Sequence, residues 1–182
     1  KYQDVTVLTL IDLQTFQIAT PIRFNLIDWN IQKLKIEAVA REYNNAEIIM
    51  DSTGLGDPIY DELNAMRGLR VEPVKFTETI RNQLLWNLQI KIEQGLLTLP
   101  NDENLLNELR SFRYRLPEVN ELRVRQKLQM GVPAGLHDDC VMSLALAVWG
   151  LDKPHGLTKT PLAQMLSAQG FNPRIKIKDY KI

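Results

Sequence analysis

The sequence predicts an α/β fold, a mixed sheet flanked by helices. Three observations point there. Short β-branched runs alternate with longer segments of helical apolar spacing. The first two runs follow one another across a turn, as a hairpin does. The last regular segment, HDDCVMSLALAVWG, starts polar and continues almost wholly apolar, the pattern of a helix buried on most sides with acids at its start.

Taken in order, VTVLTLID from Val5 and FQIATPIRFN after the Leu13–Thr15 turn region form the hairpin. Residues 28–43 carry Ile31, Leu34, Ile36, Ala38 and Val39 at helical spacings, with Asp28 available as N-cap and Asn44-Asn45 as terminator. AEIIMD is too short for a helix and reads as a buried strand that delivers Asp51 to its C-terminal edge. Gly54 and Gly56 turn the chain into a helix that opens at Pro58 and runs toward Gly68. VEPVKF follows as a strand, and Pro73 places it at a sheet edge. A long helix from Thr79 to Gln94 repeats Ile80, Leu84, Leu88 and Ile92 every fourth residue before Gly95 stops it. Another helix spans Asn101 to Phe112, and the stretch from Arg115 to Gln129 is compatible with a hairpin. Periodicity fades after Gly150. Residues 1–150 thus form one domain and 151–182 a tail or small appendage, with LAQMLSAQ compatible with one short helix.

Composition narrows the function. With 182 residues and 45% hydrophobic content the chain builds one core of ordinary size. Twenty-two basic residues balance 22 acidic ones, so attraction to a polyanion must come from local clustering. The single cysteine, Cys140, rules out an internal disulfide framework and, with two histidines, leaves too few soft ligands for a zinc site. A reducing intracellular setting fits, and no apolar run is long enough to span a membrane.

Two acidic positions stand out. Asp51 ends a strand expected to be buried, and Asp138-Asp139 opens a helix expected to be buried. A carboxylate at the edge of an apolar core is costly unless a cation or a donor compensates it. Hard divalent cations accept such oxygens while keeping several waters, which leaves the metal open to a phosphate. Asp51 before Ser-Thr-Gly also suits a turn, and paired acids at a helix start also complement its dipole. The residues alone therefore reach a candidate metal site and no further.

The sequence resembles the C-terminal nuclease domain of the large terminase subunit of tailed phages. The resemblance lies in YQDVTVLTLID, IIMDSTGLGDPIYDEL and LHDDCVMSLALA, in that order, and covers roughly residues 1–150. It implies a ribonuclease H-like fold and a nuclease using two Mg²⁺ or Mn²⁺ ions to cut double-stranded concatemeric DNA. Asp51 corresponds to the family's second metal-binding acid and Asp139 to its last, with Asp138 and His137 in the same motif. The first such acid falls on the family's first strand, a few residues before the part that aligns with KYQD. Asp4 matches an assisting acidic position beside the site. No G-x-x-x-x-G-K-[ST] phosphate loop occurs in the sequence. The partners the resemblance implies are DNA, a portal protein and a small terminase subunit, in the host cell cytoplasm, with the isolated domain monomeric.

A basic segment would serve the DNA. Arg110, Arg113, Arg115, Arg123, Arg125 and Lys127 crowd together with Phe112 and Tyr114, and in a hairpin Arg123, Arg125 and Lys127 share one face. Such a strip follows phosphates without reading bases. The tail alternates similarly at Arg174, Lys176 and Lys178. Two other functions fit the same residues: a junction resolvase on the same fold, and a non-catalytic docking module of a packaging motor.

Overall fold

The computed structural model describes residues 5–54, 56–115 and 129–152. Its elements are β1 (Val5–Leu8), β2 (Ile22–Asn25), α1 (Trp29–Glu42), β3 (Glu47–Asp51), α2 (Gly56–Asn64), β4 (Arg70–Val74), α3 (Glu78–Glu93), α4 (Glu103–Ser111), β5 (Arg113–Arg115), β6 (Gln129–Gly131) and α5 (Asp139–Gly150).

The helices begin and end where local chemistry stops the backbone. Asp28 caps α1 by accepting from Asn30 N–H at 2.9 Å, Thr77 caps α3 from Ile80 N–H at 3.2 Å, and Asp102 caps α4 from Leu105 N–H at 2.9 Å. Asn44 and Asn45 turn left-handed after α1, at φ 62° and 52°, and Gly95 does so after α3 at 67°. These are the terminators expected from sequence.

β1 and β2 pair antiparallel, with Val5 opposite Asn25 and Leu8 opposite Ile22. Nearer the turn Ile11 bridges Ile18, one residue out of that register, so the hairpin carries a bulge. The buried carboxylate of Asp12 holds the turn by accepting from Gln14 and Thr15 N–H at 2.7 and 2.9 Å. β3 and β4 are parallel, Asp51 opposite Val74, and β5 and β6 are antiparallel, Arg115 opposite Gln129. Parallel and antiparallel pairs together give the mixed arrangement. Among the described residues β4 pairs with β3 alone, which accommodates Pro73 at its edge.

Successive strand residues face opposite cores. Val7, Ile49 and Val74 pack against a cluster built from Leu84, Leu88, Leu105, Leu144 and Val148 of α3, α4 and α5. Leu8, Ile48, Met50 and Val71 pack against a second cluster built around Ile36 and Ala40 of α1 and Leu63 of α2. The result is a three-layer α/β sandwich. α5 lies deepest, with Val141, Leu144, Ala145 and Val148 at 1% exposure or less. Its Gly150 allows close approach to β3, since a Cβ there would stand 2.7 Å from Ile49 Cδ1.

β1 and β3 are not hydrogen-bonded to each other. A cavity of about 230 Å³ lies against both, closed in by Ile36 and Val39 of α1 and by Ser143 and Ala147 of α5. The Ser143 hydroxyl donates to the Val7 carbonyl across it, at 3.0 Å.

One expectation is corrected. β3 is not a fully buried strand: Glu47 and Asp51 are exposed and the three residues between them half-buried. Asp51 is exposed, so its carboxylate is not at the edge of a fully buried strand. Asp4, the stretch 116–128 with Arg123, Arg125 and Lys127, the side chain of Arg115 and the tail 153–182 all lie outside the described residues. No helix among the described residues is long and apolar enough to cross a membrane.

Candidate metal centre

Asp51 ends β3, and its Oδ1 accepts from Thr53 N–H at 2.8 Å, closing a turn over Ser52. Two further bonds tie this turn to the approach to α3. Ser52 N–H donates to the Val74 carbonyl at 3.0 Å, and Phe76 N–H donates to Thr53 Oγ1 at 2.7 Å. Thr77 then caps α3, and one turn later Arg81 forms an ion pair with Asp138 at the start of α5. The stretch 76–81 is thus bonded at Phe76, just before α3, to the loop that carries Asp51 and at Arg81, in the first turn of α3, to Asp138.

At α5 the two neighbouring acids differ. Asp138 is the N-cap residue, yet its side chain makes no cap hydrogen bond. Asp139 occupies the first turn, where its charge suits the helix dipole, and His137 Nδ1 lies 3.7 Å from its Oδ2. The Asp139 carboxylate is 39% exposed, so solvent and ions reach it. The orphan amides of this turn are satisfied from another helix. Glu108 Oε2 on α4 accepts from Cys140 N–H at 2.8 Å and from Val141 N–H at 3.0 Å. Burial raises the Glu108 pKa above the ordinary carboxylate value, partly offset by those hydrogen bonds. Removing the shared acceptor in Glu108→Ala is expected to cost about 1–2 kcal/mol in a denaturant titration, and Glu108→Gln, which keeps an acceptor oxygen, clearly less.

Beneath this turn the Arg23 guanidinium holds both oxygens of Asp102 and donates from Nε to Cys140 Sγ at 3.3 Å. Burial works to raise the Asp102 pKa, but the Arg23 bonds and the backbone amides of α4 overcome it and hold it below the usual value. Burial pushes the Cys140 thiol up to about 11, so Cys140 is a neutral packing group here.

The donor set consists of hard oxygens, which suit Mg²⁺ or Mn²⁺. Among the described residues no three of His, Cys, Asp and Glu are gathered closely enough to form a ready metal cage. Asp51, Asp138 and Asp139 therefore do not form such a group by themselves. They fit a hydrated cation held through one or two carboxylates, with its remaining positions left to water and a phosphate.

Sequence reasoning missed Arg81, Glu108, Arg23 and Asp102. A signal existed for the first two. Arg81 stands three and four residues before the buried Leu84 and Leu85, and Glu108 three after the buried Leu105, so each is a charge on an apolar helix face.

No family model matches the chain. It is 37% identical over 149 residues to the terminase large subunit of Thermus phage G20c and 36% identical over 149 residues to that of Thermus virus P23-45. The matched part is 81% of this chain, and the chain spans 29% of the length of these curated relatives. Among solved structures it is similar to the large terminase nuclease from thermophilic phage G20c with bound magnesium, with TM-score 0.70 and 35% identity over 82% of this chain and 76% of that one. The same nuclease with bound cobalt gives TM-score 0.67 at 31% identity, over 81% of each chain. With bound zinc it gives 0.64 at 34%, over 81% of this chain and 74% of that one.

Parallel and antiparallel two-stranded ribbons packed with helices, matched at this level to those structures, define a ribonuclease H-like domain. The chain belongs to the nuclease-domain family of phage large terminase subunits.

Proposed function

We propose that this chain is a divalent-metal-dependent endonuclease that cuts double-stranded concatemeric DNA during phage genome packaging, using two Mg²⁺ or Mn²⁺ ions. The observation that most supports this reading is the stretch 76–81 leading into α3, bonded at Phe76 to the Asp51 loop and at Arg81 to Asp138, in a chain similar to metal-bound nucleases. Bound cations would activate the attacking water and stabilise the leaving oxygen of the phosphodiester.

The protein's own groups do the rest. Asp51, Asp139 and Asp138 would supply the metal's carboxylate oxygens, with Asp4 assisting. The Thr53–Phe76 bond fixes the loop of Asp51 against α3, and Glu108 fixes the start of α5. Arg115, Arg123, Arg125 and Lys127 would follow the DNA backbone, giving sequence-independent, salt-sensitive binding. Residues 1–150 would form the nuclease and 151–182 an appendage. A portal protein and a small terminase subunit would be its partners in the host cytoplasm.

Plasmid DNA incubated with the chain is expected to be cut in Mg²⁺ or Mn²⁺ and to stay intact when a chelator removes the metal. Linear duplex should be cut at least as fast as a four-way junction. Cleavage that persists in chelator overturns the metal dependence, and a strong junction preference makes the protein a resolvase. No cleavage in either metal leaves the docking-module reading in its place.

A further inference from the structure

Arg81 and Asp138 form an ion pair that the fold does not need for its helices. Asp138 sits at the N-cap of α5 without capping it, because Glu108 satisfies the Cys140 and Val141 amides from α4. Its carboxylate is consequently at liberty to face α3, where Arg81 takes it. The pair is open to solvent, with side-chain exposures of 33% for Arg81 and 22% for Asp138. Changing the partner of Asp138 therefore leaves the α5 cap intact.

We infer that Arg81 is a positioning residue that neutralises Asp138 until a divalent cation takes that carboxylate, and then turns its guanidinium to a phosphate of the DNA beside the site. The inference rests on the nuclease reading above. Three physical points carry it. A carboxylate beside a second one, Asp139, repels it unless a cation stands by, and in this structure Arg81 is the cation placed on Asp138. A metal binding there competes with Arg81 for the same oxygens. A planar guanidinium released next to the metal presents a fork that matches two phosphate oxygens, which a lysine ammonium does not. Arg81 is well placed for that exchange, since it stands in the first turn of α3, one turn after Phe76, whose N–H is bonded to the Asp51 loop.

The test separates metal binding from DNA binding, and both from cleavage. In calorimetric titrations with Mn²⁺ alone, Arg81→Gln should bind the metal about two- to fivefold more tightly than the parent, the size expected from removing a partly exposed ionic competitor. In Ca²⁺, the affinity of Arg81→Gln for a short linear duplex should fall, and the log-log salt slope should shrink by about one unit. Arg81→Lys should keep parental Mn²⁺ affinity yet bind duplex more weakly than the parent. Arg81→Met, which keeps the apolar stem, repeats both readings should the glutamine variant not fold. Metal affinity that is unchanged or weaker in the neutral variants overturns the inference, and so does an unchanged salt slope. Neither readout needs cleavage. If the parent fails to cut DNA in Mn²⁺ the nuclease reading fails, whereas parental cleavage with unaltered Arg81 isotherms sinks this inference alone.

Discussion

Asp139→Asn and Asp51→Asn are each expected to lower plasmid cleavage by about a thousandfold, while the melting temperature stays within about 2 °C of the parent. The loss follows from the charge a metal contributes to a phosphoryl transition state. A site that no longer holds its cation forfeits several kcal/mol of that stabilisation, and roughly 1.4 kcal/mol is a factor of ten in rate. The fold is spared because neither carboxylate lies in the core: Asp51 is exposed and closes a turn, and the α5 amides are capped by Glu108. Asparagine keeps the turn-forming oxygen at position 51. Cleavage rates measured over a range of Mn²⁺ concentrations, beside a thermal melt, check both halves. A variant that cuts at the parental rate removes its residue from the metal site.

Asp102→Ala is expected to be the most damaging single change to stability among the polar residues, at about 2–4 kcal/mol, or a melting temperature about 5–15 °C lower. Asp102 does two jobs at once. It caps α4 through Leu105 N–H, a role usually worth about 1 kcal/mol, and it neutralises the Arg23 guanidinium, whose loss of partner leaves a half-buried charge. The Asp102 carboxyl is only 12% exposed, so water replaces little of what the alanine removes. The effect has a definite pH sign. The folded-state pKa of Asp102 is lowered, so in mild acid the unfolded chain takes up a proton that the folded one does not. Its contribution is complete above the ordinary carboxylate value of about 4 and disappears as pH falls through the lowered value. Denaturation of parent and Asp102→Ala should therefore differ fully at neutral pH and converge in strong acid. A constant difference across that range would assign the loss to packing instead.

Most of the fold was legible because its punctuation is local. Asp28, Asn44-Asn45 and Gly95 act on the turn in which they sit, and the structure uses them there, while α3 starts at Glu78, capped by Thr77, one residue before the expected Thr79. The apolar continuity of CVMSLALAV likewise identified α5 as the central helix. The burial of β3 was misread. AEIIMD has the composition of a doubly covered strand, but composition does not say how completely the strand is covered, and Asp51 is exposed. The site was legible only in its acids. What holds them is made of pairs distant in sequence: Arg81 with Asp138, Glu108 with the α5 amides, Arg23 with Asp102. Such pairs have no spacing rule: Arg81 and Glu108 show as charges on apolar helix faces, but which groups they meet is not settled until the helices are packed.

The unbonded boundary between β1 and β3 gives the domain an uneven stiffness. Elsewhere in the sandwich, neighbouring strands are locked by backbone ladders that resist displacement bond by bond. Across the cavity, among the described residues, load passes from the β1–β2 ribbon to the β3–β4 ribbon through side-chain packing on α5 and α1 and through side-chain bonds such as Ser143–Val7 and Thr6–Gln32. The ribbon ending in Asp51 can thus shift against its neighbour without breaking a ladder, while α5 serves as the common beam on which both ribbons rest. A cation gripped at the end of that beam and by that ribbon would act as a brace against that shift.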